Sequence, residues 1–136
     1  MKSLETLLKL AQRRLDDLGV EAAQCAEHID DLRMREASAV AREEREAELA
    51  AGDLALAAAL PAYRARVRLH LAELRLHIGE GEETLKTVRE QLTLAYQEKS
   101  KLEQLLEQAR AKEARRLAEL EQAQLDEAAI NRVGRG

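Results

Sequence analysis

The residues most able to do chemistry in this chain are His70, Glu73 and His77, which stand three and four apart. On a helix that spacing puts all three on one face, where imidazole and carboxylate could share a metal ion. No fourth ligand is evident nearby, and the paired-histidine spacing of the zinc peptidases is absent. The stretch Arg68 to Leu74 is echoed one heptad later by Arg75 to Ile78, so the histidines also read as a by-product of a repeat on a solvated face. Cys25 is the single cysteine. It cannot close an internal disulfide, and no Ser or His is placed in sequence to activate it as a nucleophile, so it reads as a small buried hydrophobe. Gly79-Glu80-Gly81-Glu82-Glu83 is glycine-containing but acidic, which repels phosphate where a phosphate loop would attract it. The remaining carboxylates alternate with Lys and Arg at helical spacing and read as paired surface charge. The pattern therefore calls for no catalytic residue, no cofactor and no metal, and argues against an enzyme.

Basic residues gather at Arg64, Arg66, Arg68 and Arg75, and again at Arg110, Lys112, Arg115 and Arg116. A solvated helix face is one reading of them, and contact with an acidic protein surface is the other. Nucleic acid is a poor fit, because the chain carries a net charge of −4 and no aromatic side chains are interleaved for base stacking.

Such residues need elements to position them, and the composition restricts those elements. Of 136 residues, 35% are charged and 1% aromatic, with no Trp or Phe. An ordinary globular core draws much of its buried area from aromatics. This one must be built from Leu, Ala, Val and Ile, in a background of strong helix formers. High charge with few aromatics also describes disordered chains, but regular leucine spacing and scarce Gly, Pro and Ser oppose that reading. No apolar run approaches the length of a membrane span, and the charged start does not resemble a leader peptide, so a cytoplasmic protein without membrane insertion is expected.

The spacing then gives the architecture. Leu4, Leu8, Ala11, Leu15, Leu18, Ala22, Cys25, Ile29 and Leu32 lie alternately four and three apart, the 3.5-residue repeat of a coiled-coil seam. Beyond Leu32 the register slips, with Glu36 on the seam and a stutter toward Val40 and Ala47. A second run from Leu71 through Leu74, Ile78, Gly81, Leu85, Val88, Leu92 and Ala95 continues to Ile130, interrupted by Lys99, Glu113, Arg116 and Glu127. Leu60, Tyr63 and Val67 begin it one stutter earlier. Gly52 can close the first helix in a left-handed conformation. Asp53 can cap a short turn, and Pro61 suits the first turn of the second helix. The expected fold is all-α, one long two-helix antiparallel coiled-coil hairpin with a longer second helix. Its expected parts are a first helix over about 3–49, a loop over about 50–59, a second helix over about 60–131 and a tail at 132–136. A turn centred near Leu54 sets Leu4 opposite the neighbourhood of Gln104, and the helix beyond that level has no partner in its own chain. Gly79 and Gly81 fall roughly opposite His28 and Ile29, where they allow close approach or a bend.

The second half carries a resemblance. Tyr96-Gln97-Glu98-Lys99-Ser100-Lys101-Leu102-Glu103, the following Gln104-Leu105-Leu106-Glu107, and the ending Glu121 to Ala129 resemble the flagellar export protein family FliJ. That family has a Lys–Leu–Glu segment in mid-helix and a terminal Gln-x-x-x-Asp-Glu-x-Ala pattern, matched by Gln122, Asp126, Glu127 and Ala129. The opening Lys2 to Leu10, with Leu15-Asp16, also looks like the family's start. The resemblance implies a two-stranded coiled coil similar to the stalk of a rotary ATPase gamma subunit. It implies binding of the hexameric flagellar export ATPase by the terminal ends, contact with the cytoplasmic domain of the export gate protein FlhA, and assistance to export chaperones. It places the protein peripherally at the inner face of the cell membrane, at the flagellar base. Carried over by position, it assigns Leu4, Leu8, Leu125, Asp126, Glu127 and Ile130 to the ATPase ring. It assigns Tyr63, Val67, His70 and Leu74 to the export gate. Val67 stands where the family has a second aromatic, which departs from the pattern of that surface. A structural scaffold or adaptor, or a substrate chaperone with no ATPase contact, shares the same composition.

Overall fold

A computed structural model describes residues 1–135 of the chain. Two helices account for almost all of them: α1, Lys2–Ala50, and α2, Leu54–Arg135, with no strand among the described residues. The chain divides into two compact units, Met1–Leu15 with Leu94–Gly136, and Asp16–Thr93. In each unit a stretch of α1 packs antiparallel on a stretch of α2. In the second unit Arg64 pairs with Glu43 and Arg75 with Glu36, at 2.7 and 3.9 Å. In the first, Arg110 lies 3.4 Å from Glu5. All of these pairs are at least partly exposed, where each contributes about 0.2–1 kcal/mol, so they fix register more than they hold the fold.

What holds it is the seam. Every one of the nine α1 positions from Leu4 to Leu32 is buried or half-buried, and so is every α2 seam position from Leu60 to Glu113. Leu15, Leu18, Ile29, Leu32, Leu74, Leu85, Val88, Ala95 and Leu106 are its most buried side chains, and no polar side chain is buried with them. Burying one such leucine or isoleucine contributes about 1.5–3 kcal/mol. From Ala114 to Arg135 every residue is exposed, although the helix continues.

The connection is tighter than the sequence suggests. It consists of Ala51, Gly52 and Asp53 alone, so Leu54–Ala59 is helix where a loop is expected. The Ala51, Gly52 and Asp53 amides donate to the carbonyls of Glu48, Leu49 and Ala50 at 3.3 Å, closing α1 by a tightened last turn. No glycine among the described residues has positive φ, so the left-handed cap expected at Gly52 is replaced by those bonds. Asp53 is the N-cap of α2 itself. Its Oδ1 accepts from the Ala55 amide at 2.8 Å and the Leu56 amide at 3.3 Å, and its carbonyl accepts from the Ala57 amide. This cap, with the helix-forming alanines behind it, starts the helix seven residues ahead of Pro61. Pro61 is therefore inside α2 instead of opening it. Its ring nitrogen has no hydrogen for the Ala57 carbonyl, and exposure of this stretch lets solvent serve that carbonyl.

The expected tail at 132–135 is also helical, with Arg132 and Arg135 in the last turn where cations oppose the helix dipole. Gly136 of that tail lies outside the described residues. Gly81 faces Ile29 so closely that a Cβ there would stand 3.0 Å from the Ile29 Cγ1, whereas a Cβ on Gly79 meets nothing. The close approach thus belongs to Gly81 alone.

Candidate functional site

The first unit holds the family-assigned ATPase residues. Leu4 and Leu8 sit half-buried on the seam, and Leu8 shares an open groove with Glu5, Lys9, Lys99, Leu106 and Arg110. The α2 side of that groove reaches Leu106 and Arg110, two and six residues beyond the expected Gln104. Leu125, Asp126, Glu127 and Ile130 lie a further four or more turns along α2, about 22–36 Å on at helical rise. All four are exposed, Leu125 to 60% and Ile130 to 70%. The structure does not bring Leu4 and Leu8 to that neighbourhood. Half-burial along the α2 seam ends at Glu113.

The exposed end has its own order. Leu117, Leu120, Leu125, Ile130 and Val133 are solvent-facing apolar side chains. Gln122 Nε2 donates to Asp126 Oδ1 at 3.0 Å, so two members of the terminal pattern are joined across one helical turn. At the base of this segment the Arg116 guanidinium makes two bonds to the Glu113 carboxylate, at 2.7 and 3.1 Å. The hydrogen bond from Arg116, aided by its charge, holds the Glu113 carboxyl below its ordinary range, and Glu113 in turn raises Arg116.

The second unit holds the family-assigned gate residues, and it separates them. Tyr63, Val67 and His70 line one side of an open cleft of about 710 Å³, with Met34, Ser38 and Ala39 across from them. Leu74 does not join them. It is 5% exposed and belongs to the seam, so it is not presented to a partner while the hairpin is packed. The cleft exists because the seam thins where its register slips. Past Leu32 the half-buried α1 positions are Glu36, Ala39, Val40, Glu43, Glu46 and Ala47, mostly too small or too polar to fill the interhelical space.

His77 lies 3.8 Å from Glu73 and 3.4 Å from Glu80, while His70 lines the cleft instead. Among the described residues no three His, Cys, Asp or Glu side chains group about a common point for a metal. Cys25 is half-buried and lines a small notch beside Gly81 with His28, His77 and Glu80. Sequence reading missed that grouping, since it depends on which residues of α2 face Cys25. The one signal was the three-residue spacing of Cys25 and His28. No helix among the described residues is long and apolar enough to cross a membrane.

Two helices meeting in a leucine seam define an all-α helical hairpin. The chain belongs to the family of the flagellar FliJ protein, whose model matches residues 1–136. This makes it a component of the flagellar protein export apparatus, in a family that is not catalytic. No curated protein and no solved structure matches it.

Proposed function

We infer that this chain serves as the non-enzymatic stalk of the flagellar export ATPase, seated in the hexameric ring and coupling it to the export gate from a peripheral position at the inner membrane face. The observation that carries the reading is the end of α2. From Ala114 to Arg135 a regular helix presents leucine, isoleucine and valine with nothing from α1 covering them. A solitary helix of this length is marginal in water, and one with exposed leucine, isoleucine and valine among balanced charges is suited to ordering inside a protein cavity. Leu125, Asp126, Glu127 and Ile130 form the ring contact in this reading, with Leu4 and Leu8 supporting the base of the segment. Tyr63, Val67 and His70 supply the face toward the cytoplasmic domain of FlhA.

The test is a titration of the export ATPase from the same source with this chain, following ATP hydrolysis and co-migration. Stimulation should saturate near one chain per hexamer. Replacing Leu125 and Ile130 together by Asp should abolish it, while circular dichroism stays unchanged because both side chains are exposed. Retained stimulation by that variant removes the ring contact from the reading.

The same uncovered stripe favours one second reading, a scaffold that self-associates through Leu117 to Ile130. Sedimentation at rising concentration separates the two: a strict monomer eliminates the scaffold.

A further inference from the structure

The cleft between α1 and α2 in the second unit has a chemistry that the family assignment does not supply. Its apolar lining is Met34, Ala39, Tyr63 and Val67, and Met34 is 70% exposed. Its rim is cationic, with Arg35 and Arg42 from α1 and Arg66 from α2. Asp31 is the one carboxylate lining it, and it is already engaged with Arg35 at 3.1 Å. Arg42 and Arg66 make no ion pair among the described residues, although nearby Arg64 and Arg75 are each matched to a glutamate of α1. The charges that set the hairpin register are therefore paired, and those facing the cleft are left over.

The shape of the cleft is equally specific. It runs from Asp31 to Arg42 along α1, about 17 Å or three helical turns. Ser38 and Ala39 keep the α1 wall low, so a third backbone can come close. A cleft beside a two-helix seam, lined with hydrophobes and open along its length, is the vacant third position of a three-helix bundle. The residue types that fit are apolar at i, i+3, i+4 and i+7 against that lining, and acidic on both flanks against the arginines.

We propose that this cleft is a docking site for an acidic amphipathic helix of a partner protein, about three turns long, lying across Tyr63 and Val67 with its carboxylates on Arg42 and Arg66. The proposal rests on the gate-facing reading of Tyr63 for its setting in the cell, and its chemistry stands on the cleft. Charge complementarity is what selects this occupant. A basic helix would be repelled by the rim, and a second copy of α2, with no acidic excess, gains nothing there. A second copy of α1 is itself acidic, so a dimer in sedimentation that Ser38→Trp abolishes would overturn the partner-protein occupant.

The experiment uses the full chain and two fluorescein-labelled helical peptides of equal length. Both carry leucine at i, i+3, i+4 and i+7; one has glutamate on its flanks and the other lysine. By fluorescence anisotropy, the acidic peptide should bind saturably and at least about tenfold more tightly than its basic twin, a ratio that shrinks with added salt. Arg42→Glu combined with Arg66→Glu should weaken the acidic peptide about tenfold and improve the basic one, as expected of several exposed ion pairs acting together. Both positions are exposed, so the helical signal serves as the folding control. Ser38→Trp should block either peptide by filling the cleft. Equal binding of the twins, no saturable binding, or acidic-peptide affinity unmoved by the arginine reversals overturns the proposal. The gate reading is tested separately with the FlhA cytoplasmic domain. If that domain neither binds nor competes with a bound acidic peptide, the gate reading falls and the docking site stands. If it binds Ser38→Trp normally while no peptide binds the unaltered chain, the docking site falls and the gate reading stands.

Discussion

Alanine at Gly79 and alanine at Gly81 should have opposite consequences, two residues apart on the same helix. Both glycines are in the interior of α2, where replacement by alanine improves helix stability by about 0.8–1 kcal/mol. At Gly79 the new methyl meets no atom within 4 Å, so the gain should appear in full. Over a chain of this size that is an increase in melting temperature of about 3–5 °C. At Gly81 the methyl would stand 3.0 Å from Cγ1 and 3.7 Å from Cδ1 of Ile29. Cγ1 is the base of the side chain and not its free end, and Ile29 is among the most buried residues of the seam. Either Ile29 leaves its rotamer or the helices part, and overpacking of this kind costs about 1–3 kcal/mol. The propensity gain is thus cancelled or exceeded, and Gly81→Ala should fall below Gly79→Ala by at least about 1 kcal/mol. Urea unfolding followed by circular dichroism at 222 nm measures both. A double-mutant cycle with Ile29→Ala adds the cause, since Gly81→Ala should become stabilising once Ile29 is truncated. Equal stabilisation by the two alanines while Ile29 is intact would refute the close approach.

Three further outcomes follow from the geometry. Asp53→Ala should lower stability by about 1 kcal/mol through loss of the α2 cap, with Asp53→Asn close to the unaltered chain, both read from denaturant midpoints. Leu18→Ala, in the seam, should cost about 2–4 kcal/mol, whereas Leu125→Ala should stay within about 0.5 kcal/mol, a contrast that thermal melts resolve. The Glu113 carboxyl should titrate below its ordinary value of 4.5 in carboxyl-carbon NMR and move up in Arg116→Gln. Because the folded value is the lower one, the pair's contribution is present above the unfolded carboxylate value and disappears as pH falls through the folded one.

The seam was legible because burial along a coiled coil is periodic, and all nine α1 positions and the α2 positions through Glu113 take their places on it. Leu54–Ala59 was not legible for the complementary reason. These turns are exposed on nearly every side, so no periodicity marks them, and Pro61 argues for a helix start that the Asp53 cap overrides. The position of Leu4 depended on where α2 joins the seam, and because Leu54–Ala59 stay exposed and seam burial on α2 begins at Leu60, the groove beside Leu8 reaches Leu106 and Arg110, past the expected Gln104. Of the family-assigned surface residues, Tyr63, Val67 and His70 share a cleft, but Leu74 falls at a seam position that its leucine spacing already indicated. The cleft itself could not be read from a list of residues. It arises from what α1 lacks between Glu36 and Ala47, and missing volume has no letter in a sequence.

The cross-helix pairs also prescribe an order of assembly. Glu43 and Arg64 are separated by 21 residues of chain, and Glu5 and Arg110 by 105. A fivefold longer loop costs only about 1.4 kcal/mol more to close, but it is closed in small instalments if each pair forms after the one nearer the turn. Folding of α1 on α2 should therefore run like a zipper from Asp53 outward. Leu4 and Leu8 join last and open first, so the residues beside the uncovered helix end are also the least costly to release.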